Sequence, residues 1–130
     1  MNAAPVLQRR YPALPEEIGR IRHDVKDHAR EHGARDPDAV ALAVTEAVTY
    51  AVVHAYVDAP APGEVEVVVR RLPDDRVEIL VCDEGWGMVP RTDSPGLGLG
   101  LPLAATLADH FEIQARSGGG TRVRMAFAAG

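Results

Sequence analysis

Three short stretches carry residue types that can do chemistry where they stand. The first is TEAVTYAVVHAY, residues 45–56. Val40, Val44, Ala47, Val48, Ala51 and Ala55 form an apolar stripe at helical spacing, and Glu46, Tyr50, Val53, His54 and Val57 line the adjoining one. Glu46 is then either a carboxylate carried into a pocket or a solvated surface acid. The second is Asp83-Glu84-Gly85-Trp86-Gly87, directly after an apolar run. An aspartate there can accept a hydrogen bond from an exocyclic amine such as adenine's, and the glycines let backbone approach a flat ring. The same residue types also build an ordinary tight turn. The third is Gly96-Leu97-Gly98-Leu99-Gly100-Leu101, which leads into a helix. Free N–H groups and the positive dipole end suit a phosphate. The glycines alternate and follow a loop, so this is not the dinucleotide fingerprint, and a flexible hinge is the other reading.

These residues need elements to hold them. Residues 6–12 read as a short edge strand. Leu14, Ile18, Ile21, Val25, Ala29 and His32 recur every three or four residues, which predicts a first helix over 15–32, with Pro15 in its first turn and Gly33 as its stop. Asp36-Pro37-Asp38 combines a capping carboxylate, a first-position proline and an acid at the positive dipole end. It opens a second helix over 37–57, ended by Pro60-Ala61-Pro62-Gly63. Residues 64–72 and 76–82 read as strands of a hairpin around Pro73-Asp74-Asp75. A glycine- and proline-rich break precedes the helix LPLAATLADH. Residues 111–116 and 121–127 form a second hairpin around Ser117-Gly118-Gly119-Gly120. Strands and helices segregate, so the predicted class is α+β: a two-layer sandwich of a mostly antiparallel mixed sheet with helices on one face.

The 130 residues suit one domain, spanning 1–130, that buries roughly two-thirds of its unfolded surface. A net charge of −5 argues against direct nucleic-acid binding. Cys82 is the single cysteine and has no internal disulfide partner, which fits a reducing compartment. The first residues lack an apolar core of signal-peptide length, and no run reaches the roughly 18 residues of a membrane span. The expectation is a soluble, cytoplasmic protein that does not engage membranes.

In order and placement the motifs form a set: a helix with a glutamate, a strand ending in DxGxG, a loop into GLGLG and a helix, then a hairpin with Gly120-Thr121. TEAVTYAVVHAY, VCDEGWGMVP, GLGLGLPLAATLAD and GGGTRVRM cover most of the chain. The set resembles the histidine-kinase-like ATPases, and within them the anti-sigma-factor serine/threonine kinases.

That resemblance implies roles. Glu46 matches the general base that activates the acceptor hydroxyl. Asp83 matches the adenine-reading aspartate, and Gly85 and Gly87 the glycines lining the base. Gly98 and Gly100 match those that bring backbone amides to the phosphates, and Thr121 the threonine supporting the adenine contact. Residues 88–95 match the lid; Arg91 there either touches a phosphate or is a solvated loop charge. Four residues after the glutamate the family places an asparagine that binds Mg²⁺. Here the position is Tyr50. Magnesium demands compact oxygen ligands in octahedral geometry, and a neutral phenol with a pKa near 10 is a poor one. His54, one turn on, either titrates near phosphate or packs as a helix histidine. Trp86 is a lid or interface aromatic, or a half-buried ring.

The implied function is an ATP-binding anti-sigma factor. It sequesters a sigma factor, phosphorylates a serine on an anti-anti-sigma partner, and forms a homodimer. The alternative is a binding module of the same fold without kinase activity, which Tyr50 favours.

Overall fold

Alternating apolar residues in the second half of the chain and helical periodicity in the first build two layers. The computed structural model describes residues 4–56, 61, 63–85 and 100–130. Strand β1 spans Pro5–Pro12. A 3-10 turn, Pro15–Glu17, leads into α1, Ile18–Glu31. Then follow α2, Pro37–His54, β2, Glu64–Arg71, and β3, Val77–Asp83. Helix α3, Gly100–Leu107, precedes β4, His110–Ala115, and β5, Thr121–Phe127.

The sheet order is β1-β2-β3-β5-β4, and each neighbouring pair is antiparallel. The expected mostly antiparallel sheet is thus present, and among the described residues every pairing in it is antiparallel. Strand β1 lies at an edge, as its short, charge-rich sequence predicts. Strand β3 starts one residue later than expected and runs on through Asp83, which pairs with Val65.

One face of the sheet, Val65, Val67, Val69, Ile79, Val81, Val123 and Met125, packs into a single core with Ile21, Val25 and Ala29 of α1 and Val40, Val44, Ala47, Val48 and Ala51 of α2. Each fully buried valine, isoleucine or methionine side chain here contributes about 1.5–3 kcal/mol, and each alanine less. Helix α2 lies between α1 and α3, so Ala41 and Ala43 are buried beyond the predicted stripe.

The helix ends follow local chemistry. The Asp36 side chain accepts from the Ala39 N–H at 3.1 Å and caps α2. Helix α1 ends at Gly33, φ +88°, with Ala34 N–H bonded to the Ala29 carbonyl and Gly33 N–H to that of Arg30. This is the bonding of a Schellman stop.

Candidate functional site

Strand β3 delivers Asp83 to the end of the sheet's helix-covered face. The residue is only 8% exposed. Oδ1 accepts from the Gly85 N–H at 3.0 Å and from the Thr121 N–H at 3.3 Å. Burial pushes the Asp83 carboxyl above its ordinary value, against the pull of those two amides and of the Arg116 charge. The bonds hold the group at one angle and fall on one oxygen.

The surrounding backbone is closely packed. A Cβ on Gly85 would overlap the Ala55 carbonyl at the end of α2. One on Gly120 would overlap the Asp83 carbonyl, and Gly120 also has φ +96°, which L side chains rarely adopt. The β4–β5 turn can lie against the end of β3 because residue 120 is glycine. Arg116, at the base of that turn, donates to the Asp83 carbonyl at 2.8 Å.

Helix α2, whose end packs on Gly85, carries the other candidate residues. Glu46 and Tyr50 are half-buried and one turn apart. The Tyr50 ring meets the His54 ring with centroids 4.5 Å apart at a 41° tilt. Burial lifts the Tyr50 phenol above its ordinary value, and the charge of Asp83 adds to this. The phenol is thus held in its neutral form. Among the described residues, no three His, Cys, Asp or Glu side chains group closely enough to hold a metal ion. A neutral phenol at position 50 is a poor oxygen ligand for Mg²⁺.

The structure brings Asp83, Gly85, Gly120 and Thr121 together at one end of the sheet. Gly100 is the first residue of α3, which packs on α2. Gly87, Gly98, Trp86, Arg91 and the proposed lid 88–95 lie outside the described residues.

Two residues that the sequence left unmarked also belong here: Arg116, and Tyr56 in the turn after α2. Tyr56 donates to the Glu64 carbonyl at 2.7 Å and accepts from the Glu84 N–H at 2.9 Å.

Residues 11–127 match the histidine kinase-like ATPase domain. The chain belongs to that family. It is 35% identical to the serine-protein kinase RsbW of Bacillus licheniformis, over 90% of this chain and 82% of the relative. It is 34% identical to RsbW of Bacillus pumilus (strain SAFR-032), over 87% and 80%. The solved RsbU and RsbW domains of a Mycobacterium tuberculosis protein superpose with a TM-score of 0.70 at 23% identity, covering 97% of this chain and 33% of that one. The mycobacterial sensor histidine kinase MprB superposes with a TM-score of 0.59 at 18% identity, covering 95% of this chain and 98% of that one. The RsbW sequences place the chain among serine-kinase relatives, and the structural likenesses establish the fold. No helix of the described residues is long and apolar enough to cross a membrane.

Proposed function

We propose that this chain is an ATP-binding anti-sigma factor of the serine-kinase type. The carrying observation is Asp83: a buried carboxylate at a strand end, held by the amides of Gly85 and Thr121, with the second oxygen able to take an adenine amine. By this reading the base end holds the adenine of ATP. Gly85 and Gly87 match the glycines that line the ring, Thr121 the threonine that supports its contact, and Gly98 and Gly100 those that bring backbone amides to the phosphates. Glu46 is the general base. It takes the proton of a partner's serine hydroxyl, the oxygen attacks the γ-phosphorus, and ADP leaves. By this reading the acceptor is an anti-anti-sigma protein, the sequestered protein is a sigma factor, and the working form is a cytoplasmic homodimer.

Tyr50 favours a second reading, in which the domain holds its partner and transfers phosphate slowly or not at all. The phenol occupies the metal position and is a poor Mg²⁺ ligand.

The deciding experiment is calorimetric ATP titration with and without Mg²⁺, alongside phosphate transfer to a serine-bearing partner. The proteins are wild type, Tyr50→Asn, and Glu46→Ala as the inactive control. The expected result is weak, metal-insensitive ATP binding in wild type, and Mg²⁺-dependent binding about tenfold tighter or more in Tyr50→Asn, each factor of ten being about 1.4 kcal/mol. Equal and robust Mg²⁺-dependent activity in both proteins would remove Tyr50 from the argument. No binding of adenine nucleotide by either would remove the nucleotide reading.

A further inference from the structure

From the hydrogen bonds that meet at one hydroxyl, we infer that Tyr56 is a positioning residue for the base end of the nucleotide site, a role that rests on the nucleotide reading of Asp83. The Tyr56 hydroxyl joins three elements. It sits in the turn after α2, donates to the backbone at the start of β2 through Glu64, and accepts from the Glu84 N–H just past the end of β3. Asp83 and Gly85 flank that bonded amide in sequence. Shifting Glu84 therefore shifts both the carboxylate and the N–H that orients it.

The ring is fixed as well as the hydroxyl. Gly63 packs against it so closely that a Cβ there would overlap three ring atoms. The Gly63 carbonyl accepts from the Ala13 N–H at 2.9 Å, which anchors that glycine to the segment leaving β1. Burial, the largest influence, keeps the phenol above its ordinary value, so it stays protonated and keeps its donor. From the other side Arg116 bonds the Asp83 carbonyl. Asp83 is thus held by its own side-chain bonds, by Arg116 on its carbonyl, and by Tyr56 through the next residue. Of these, only Tyr56 links the site to the end of the helix that carries Glu46 and Tyr50.

The two bonds of the hydroxyl go to backbone at Glu64 and Glu84. On this inference its removal acts on the base end rather than on the phosphate end. Tyr56→Phe keeps the ring and removes the two bonds. The test compares wild type, Tyr56→Phe and Gly63→Ala by amide hydrogen exchange without ligand, by thermal unfolding, and by titration with ATP and with AMP, both without metal. Exchange at Glu84 and Gly85 should quicken in Tyr56→Phe at a nearly unchanged melting temperature. Affinity for ATP and AMP should fall by the same factor, roughly threefold to tenfold, because binding must then supply the ordering of Asp83 that the hydroxyl's bonds supplied. Gly63→Ala, which keeps the hydroxyl but displaces the ring, should reproduce the equal loss.

Unchanged exchange at Glu84 and Gly85 overturns the inference. So does faster exchange with unaltered affinity, or a loss confined to ATP, which would place the effect at the phosphates. If wild type binds neither nucleotide, the nucleotide reading and the positioning role fall together; the exchange data then report only whether Tyr56 braces the end of β3. If Tyr56→Phe does not fold, Gly63→Ala decides, and full AMP affinity in that variant overturns the inference.

Discussion

At the scale of single residues, the proposed adenine contact rests on Asp83. Its place at a strand end was legible in the sequence because a strand, an acid and two glycines follow one another within a few positions. Its bond to Thr121, 38 positions away, was not, because nothing local encodes the β3–β5 pairing. Tyr56 was invisible for the same reason, since its partners lie 8 and 28 positions away. Asp83→Asn replaces an oxygen acceptor with an amide that presents its own donors. Loss of a bond buried in the complex costs about 1–3 kcal/mol, so ATP affinity should drop roughly tenfold or more. The wild-type carboxyl is also raised by burial, so it protonates at higher pH than an ordinary aspartate. ATP affinity should therefore fall as pH drops toward the upper carboxylate range, and Asp83→Asn should abolish that slope. Titration at several pH values reads both effects, and unchanged affinity in the variant would sink the assignment.

At the scale of elements, the starts of α2 and the end of α1 were legible because caps are local: Asp36, Pro37 and Gly33 act within a few residues of themselves. The way β1 docks was not. Tyr11 on β1 is 1% exposed and donates to Asp24 on α1 at 2.8 Å. Arg9 and Arg20 lie over its ring at 5.3 and 6.0 Å from the centroid. Burial first, and then the bond to Asp24, push this phenol up to about 12 from 10.0. A raised folded-state pKa means that the neutral form belongs to the fold. Its contribution is present in full below pH 10 and is withdrawn as pH climbs through about 12. Tyr11→Phe loses the hydrogen bond but has no proton to lose. The stability difference between wild type and Tyr11→Phe should thus be constant below pH 10 and shrink between 10 and 12. Urea unfolding across that range measures it, and a difference that stays flat would show that Tyr11 does not titrate with the fold.

At the scale of the molecule, the sheet has one face under helices and a second face covered by its own charged side chains. Alternation in EVEVVVRR announced two faces, but not that the second would bury a carboxylate. Glu78, the second residue of β3, is 1% exposed. Arg70 on β2 reaches its Oε1 through both Nε and Nη2, and Arg124 on β5 donates to Oε2 at 2.6 Å. Arg124 also faces Glu112 on β4 at 3.8 Å. One carboxylate thus ties the three central strands together across the face opposite the core. Burial alone would raise the Glu78 carboxyl, but the hydrogen bonds and charges of Arg70 and Arg124 outweigh it and hold it below the ordinary 4.5. A depressed folded-state pKa stabilises the protein above 4.5 and ceases to do so as pH falls through the folded value. Glu78→Gln keeps the size and removes the charge. The two guanidiniums are partly exposed, so water recovers part of their loss, and the cost at neutral pH should be about 1–3 kcal/mol. Wild type should lose this advantage over Glu78→Gln in acid, with the two unfolding midpoints converging below pH 4.5. Equal stability at neutral pH would show that the arginines are as well solvated without their carboxylate, and that the open face contributes nothing to holding β2, β3 and β5 in register under the site.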